Sequence, residues 1–304
     1  KTFNAEVEVV GNSGGGSSSG TPYIHYIWVE LDDDIDEPGT QIPCNPGGNT
    51  HVTVKIIVSD TYGLDAIEDV AVLLMTPPES DWLGFAYTGV VYATLVTSST
   101  EMDAQVIYAA QHGLIPMDVN GWALPEQIQY EWDQNNWAMY RADYELSYCA
   151  PAGWWDVEVY VTDTTSETSL HQLHSFEYVE CLVLQHDFTS IDYPNMVPGT
   201  TQRWQGDTDM GSGGPTLRNL GNVPIDITIT STALMFGQWD ITQFDVHWKG
   251  VDYEYVADVA FSLPEPLCVC NKEKIDFSVT CPDGYPPGLY TGEMLISITR
   301  GDWT

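Results

Sequence analysis

The chain reads as a mainly β protein of two β-sandwich domains, with a short helical excursion in the first. Three observations predict this. β-branched and aromatic runs of strand length recur along most of the chain, separated by Gly, Pro, Asn and Asp. Its 304 residues suit about two domains with ample cores. Between residues 98 and 112 the apolar spacing shifts from strand to helix.

The first ten residues alternate as a half-buried strand does. Phe3, Ala5, Val7 and Val9 share one face, and Thr2, Asn4, Glu6 and Glu8 the other. Gly11–Gly20 follows, a Gly/Ser tether without side chains to pack. Extended, ten residues reach at most about 33–36 Å. A lone strand is unstable, because its amides and apolar face need a sheet. It either folds back on its own domain or fills a groove in a neighbouring copy. Donation to another subunit is the expectation carried forward. Burying its four apolar side chains contributes roughly 4–8 kcal/mol per junction before ordering costs.

Tyr23–Leu31 reads as a strand, followed by an acidic turn containing Asp32, Asp33, Asp34 and Asp36. His51–Ser59 and Ile67–Met75 are strands about the turn Asp60–Asp65, and Pro77-Pro78 ends the second. Phe85–Thr97 reads as further strand. Ser98–His112 is a helix with Met102, Val106, Ala109 and Ala110 on one face. Ser98 and Glu101 form its capping box, and Gly113 stops it. Pro125 opens a second short helix, with Ile128, Tyr130 and Trp132 expected to pack inward. Met139–Tyr148 returns to strand. PAGWWDVEVYV, from Pro151, is matched by PPGLYTGEMLI, from Pro286, an internal repeat that marks one late strand in each sandwich. Leu170–Val179 closes the first domain.

Beyond Cys181 strands are expected at Leu184–Ile191, Thr216–Asn219, Val223–Thr232, Phe244–Lys249, Val256–Ser262, Ile275–Cys281 and Tyr290–Thr299. The division is therefore 1–20 strand and tether, 21–181 first sandwich with its helical insertion at about 98–136, and 182–304 second sandwich.

The net charge is −35, and only nine basic residues face 44 acidic ones. Such a surface repels nucleic acid and anionic membranes, so neither is an expected partner. No apolar run is long enough to cross a bilayer as a helix. Lys1 at the start, in place of Met, fits a mature, processed N-terminus. The even set Cys44, Cys149, Cys181, Cys268, Cys270 and Cys281 then favours disulfides and an extracellular setting, although fifteen pairings are available. Strand direction puts Cys44, Cys149 and Cys181 at one pole of the first sandwich, facing the second. A bridge among these three is expected, with the remaining one able to cross to Cys268, Cys270 or Cys281. Cys268-Val269-Cys270 lacks zinc spacing.

Three phrases carry a resemblance. They are VTVKIIVSDTYGLDAIEDVAVLL from Val52, PAGWWDVEVYVTD from Pro151, and DFTSIDYPNMVPGT leading to TLRNLGNVPIDITI from Asp187. They resemble immunoglobulin-like modules of secreted archaeal surface proteins, of the methanogen sheath, surface-layer and fibre type. The N-terminal strand resembles donor strands of archaeal pilus-like and bacterial biofilm-matrix fibres. The resemblance implies an extracellular, cell-surface, non-enzymatic subunit that polymerises with itself. The alternative is an adhesin or carbohydrate-binding module, working through residues 78–136 on surface glycans.

Chemistry-bearing groups are sparse. Asp32, Asp33, Asp34 and Asp36 offer hard oxygens to calcium but lack calcium-loop spacing and read better as a solvated turn. Asp60, Asp65 and Asp69 are a second cation candidate. His171 and His174 fall on opposite strand faces. No nucleophile elbow, phosphate loop or zinc-helix signature occurs, so no catalytic residue and no required cofactor are expected. Trp82, Trp122, Trp132, Trp137, Trp154 and Trp155 are either a sugar-stacking platform or core and interface. There is no Asn-x-Ser/Thr sequon; Ser17, Ser18 and Ser19 remain open to O-linked sugar.

Overall fold

The computed structural model describes residues 20–30, 39–77, 89–115, 124–169 and 171–303. The first group of elements is β1 (Tyr23–Glu30), β2 (Thr40–Ile42), β3 (Asn49–Ser59), β4 (Ile67–Met75), β5 (Val90–Tyr92), β6 (Thr94–Leu95), α1 (Ser99–Gln111), α2 (Leu124–Asp133), β7 (Ala138–Ser147), β8 (Gly153–Asp163) and β9 (Gln172–Tyr178). One sheet runs β1-β3-β7-β6, the other β2-β9-β8-β4-β5. Their inner faces share one core. Val52, Val54, Ile56 and Val58 of β3 meet Val70, Val72 and Leu74 of β4 and Val157, Val159 and Val161 of β8. Lettered A to G, the sheets are A-B-E-D and G-F-C, with β2 parallel to β9 at the free side of G. This is the immunoglobulin-type order.

The run HVTVKIIVS is apolar on both faces because both faces of β3 are covered. Ile57 and Trp28 turn away from the sandwich core. They pack under α1 and α2 with Met102, Val106, Ala109, Ile128 and Met139. Ser98 caps α1 as its spacing predicts, accepting the Glu101 N–H at 3.2 Å, and Gly113 leaves it at φ 66°. Lys55, buried beneath this layer, lies 3.7 Å from Glu101. Tyr130 corrects the expectation: it is 61% exposed, while Ile128 is buried. Neighbouring positions at 100° spacing cannot all face one stripe.

The second group is β10 (Leu184–His186), β11 (Thr201–Trp204), β12 (Thr216–Asn219), β13 (Ile225–Ser231), β14 (Leu234–Phe236), β15 (Trp239–Ile241), β16 (Gln243–Trp248), β17 (Val251–Val256), β18 (Phe261–Ser262), β19 (Lys272–Thr280) and β20 (Met294–Arg300). The larger sheet runs β10-β12-β19-β16-β17, with β11 end to end with β12 along β19. The smaller runs β18-β13-β20. Ile225, Ile227 and Ile229 face Phe244, Val246, Trp248, Ile275, Phe277 and Val279 across a second core. None of the described sheets draws strands from both groups.

Three strand expectations are corrected. Within Phe85–Thr97, β5 pairs with β4 and β6 with β7, so the chain changes sheets at Ala93 and no single strand results. Leu184–Ile191 stops at His186, because the chain then leaves the ladder while the Asp187 carboxylate accepts the Thr216 N–H at 2.8 Å. Val256–Ser262 straddles a turn in which Asp258 has φ 60°.

Candidate functional site

One pole of the first sandwich meets the second sandwich. Cys149 is bonded to Cys270 across this junction, with Cα atoms 5.2 Å apart. Cys44 is bonded to Cys181, with Cα atoms 6.1 Å apart. Cys268 and Cys281 are free thiols, the latter buried, so these two candidates do not form bridges here.

Backbone and side-chain bonds reinforce the junction. The Gly47 N–H donates to Leu220 C=O at 3.0 Å, and Ala152 N–H to Asn222 C=O at 3.1 Å. Arg218 donates to the Tyr148 hydroxyl at 2.9 Å. Asn222, fully buried, accepts the Cys181 N–H at 2.7 Å and donates to Val179 C=O at 2.9 Å. Residues 219–222 carry the Asn and Gly of a turn, but nothing local in them marks the partner that the turn grips.

The N-terminal segment departs from the opposite pole. Tyr23 pairs with Ser59 at the far end of β3. Thr21 donates to Glu167, in the turn beyond β8, at 2.9 Å. β3 has 11 residues, so about 33–36 Å separates this exit from the junction. A Gly/Ser lead of ten residues has a root-mean-square reach of about 16–19 Å. The exit pole therefore points away from the second sandwich by roughly the lead's full extended length. Phe3, Ala5, Val7 and Val9 themselves lie outside the described residues, as do Asp32, Asp33, Asp34, Asp36, Trp82 and Trp122.

The remaining candidates do not converge. Among the described residues no group of three His, Cys, Asp or Glu side chains is placed to hold a metal, which dismantles Asp60, Asp65 and Asp69. Asp60 instead accepts the Tyr62 N–H at 2.7 Å, closing its turn. His171 lies exposed, 3.8 Å from Glu158. His174 is half-buried, and desolvation pulls its pKa down to about 4. The four described tryptophans of the candidate platform do not converge. Trp132 and Trp137 pack against the helical layer, Trp155 is core, and Trp154 points outward from the opposite face of β8. None of the described helices is long and apolar enough to cross a membrane.

No family model matches the chain, and no curated protein does. Solved structures share a distant likeness. A chaperone–tip adhesin complex of CFA/I fimbriae matches at 10% identity and TM-score 0.29, over 93% of this chain and 91% of that one. The secreted serine protease VesC of Vibrio cholerae matches at 9% identity and TM-score 0.21, over 86% and 49%. BcpA, the major pilin subunit of Bacillus cereus, matches at 9% identity and TM-score 0.26, over 79% and 65%. At such scores the likeness stays at the level of β-rich architecture, and the methanogen-type resemblance finds no support in it.

Proposed function

We propose that the chain is a non-catalytic structural subunit that assembles with copies of itself into an extracellular surface fibre or layer, by donating residues 2–10 to a neighbour. One observation carries this reading: the chain leaves the first sandwich at the pole opposite the disulfide-locked junction. A fold-back onto the second sandwich would stretch the lead to its limit, whereas a neighbour stacked on the exit pole lies within its relaxed reach, as does the chain's own first sandwich, the alternative that the truncation below tells apart. A head-to-tail contact of this kind is heterologous, and nothing in it forces ring closure. The two cystine bridges suit an oxidising, extracellular setting.

Particle size tests the proposal. Full-length protein should form polymers, and a chain lacking residues 1–10 should be monomeric with both sandwiches folded. Val7→Asp should act like the deletion, and Glu6→Gln, on the other face, should change little. A truncated protein that polymerises as before overturns the reading. A full-length monomer that captures glycans on an array makes the chain an adhesin.

A further inference from the structure

The two sandwiches differ at one sheet edge. In the first, the F-position strand β8 is flanked by β4 on one edge and β9 on the other. In the second, the F-position strand β20 is flanked by β13, and no described strand occupies its other edge. The repeat equates these strands, since PAGWWDVEVYV spans β8 and PPGLYTGEMLI runs into β20. The second sandwich thus lacks, within the described residues, the strand that β9 provides to the first.

The backbone shows what the vacant edge offers. The Thr232 N–H donates to Glu293 C=O and the Gly301 N–H to Pro224 C=O, both at 2.8 Å. In an antiparallel ladder the bonding direction alternates from residue to residue. Residues 293, 295, 297, 299 and 301 therefore bond toward β13. Met294, Ile296, Ile298 and Arg300 aim their amides and carbonyls at the open edge. Among the described residues, none of these four has a backbone partner there.

The side chains agree. Met294, Ile296 and Ile298 face the core yet are only half-buried, whereas their neighbours Ile225, Ile227 and Ile229 on β13 are no more than 1% exposed. Four residues join β17 to β18, which sets β18 opposite β17 and leaves β20 toward β10. There Glu180, just before β10, meets Arg300 at 2.8 Å. Ile191, Tyr193 and Met196, which follow β10, also stay half-buried against this core. An open edge with an apolar flank is a template for a further strand.

We propose that this edge is the acceptor for residues 2–9 of a second copy, which supplies in trans the strand that β9 supplies in cis. The proposal rests on the subunit reading above and names its receiving site. The occupant is set by pattern and by reach. Phe3, Ala5, Val7 and Val9 recur every second residue, as Met294, Ile296 and Ile298 do, so one face of the incoming strand covers the half-buried flank while its ladder pairs the open amides. The chain's own copy of the segment starts from the far pole of the first sandwich, beyond the relaxed span of its lead.

The test uses the full chain with a benzophenone amino acid in place of Phe3, assembled from a mixture of heavy-isotope and ordinary subunits. Mass spectrometry of photo-crosslinked polymer should find residue 3 joined mainly to residues 294–300, at least tenfold above any other strand, and in heavy–light pairs. Heavy–light crosslinks that concentrate on β1 or β5 overturn the acceptor assignment while leaving polymerisation by donation intact. Crosslinks confined to single chains overturn both. Amide exchange gives a second readout. Deleting residues 1–10 should speed exchange at Met294, Ile296 and Ile298 at least tenfold and leave Leu295 and Ser297, bonded to β13, unchanged. Equal change at all five, or none, counts against the edge.

Discussion

Cys149 and Cys270 lie 121 residues apart in sequence and are bonded across the junction of the two sandwiches. The bond closes a covalent path around the hinge that residues 179–183 would otherwise form. Such a cross-link contributes about 2–4 kcal/mol, chiefly by restricting the unfolded chain. The Cys149→Ser, Cys270→Ser double variant should therefore melt in two separated steps, where the parent melts as one coupled unit. Calorimetry reads this directly. A single unchanged transition in the variant would mean that the packed junction alone couples the halves.

The same pattern fixes a thiol count. Unreduced, denatured protein should titrate with two thiols, Cys268 and Cys281. In the folded state Cys268, half-buried, should label well before Cys281, which is 6% exposed. Six reactive thiols in the native protein would remove the argument for an oxidising compartment.

Asn222 is the polar pin of the junction. Asn222→Ala leaves the Cys181 N–H and the Val179 carbonyl without their side-chain partner in a buried place. The expected loss is about 1–3 kcal/mol, measured by denaturant melts. Asp at this position keeps the acceptor and loses the donor, so its cost should exceed that of a single neutral bond.

Much of this architecture is legible in the sequence, for physical reasons that differ by element. α1 is legible because Ser98, Glu101 and Gly113 are local signals and act within one turn. β3, β4 and β8 are legible because buried strands are long and β-branched. β2, β11 and the β14–β15 hairpin escape because three or four residues carry no period. The sheet change at Ala93 escapes because a strand's partner is not written in the strand. Cys44, Cys149 and Cys181 could be placed at one pole from strand direction alone, but choosing Cys270 over its neighbour Cys268 required the fold, where Cys270 sits at φ 63°. The vacant edge of β20 has no local sequence signal at all. It becomes visible only when β8 and β20 are compared in their sheets.

Acid should destabilise the first sandwich. Burial draws the pKa of both His25 and His174 down from 6.5 to about 4. His25 also stacks on Trp137 at 4.1 Å and shares a 2.8 Å hydrogen bond with Ser59. A depressed histidine contributes stability that is present above the unfolded pKa and is lost as pH falls toward the folded one. The window is therefore about pH 6.5 down to about 4. Burial raises the Glu30 carboxyl, which works in the opposite sense as pH rises above its unfolded value. The His25→Phe, His174→Phe double variant should show a flatter stability profile between pH 6.5 and 4 than the parent. Equal slopes would place the proton uptake elsewhere.

Assembly should strengthen with salt. Stacking subunits of net charge −35 concentrates like charge, and the repulsion is screened over about 10 Å at 0.1 M salt and about 3 Å at 1 M. The concentration needed for polymer should accordingly fall several-fold between low salt and about 0.5 M NaCl, as read by light scattering. Mild acid should act the same way by protonating carboxylates, until the histidine-linked loss of fold below pH 6.5 opposes it. Divalent ions separate screening from bridging. At matched ionic strength, calcium and sodium should support the same extent of assembly if screening is the whole effect. Among the described residues no group of three His, Cys, Asp or Glu side chains is placed to hold a metal, so equality would mean that screening acts alone. A chelator-sensitive excess with calcium would instead point to Asp32, Asp33, Asp34 and Asp36, and neutralising those four to Asn should then abolish the excess while leaving the sodium response in place.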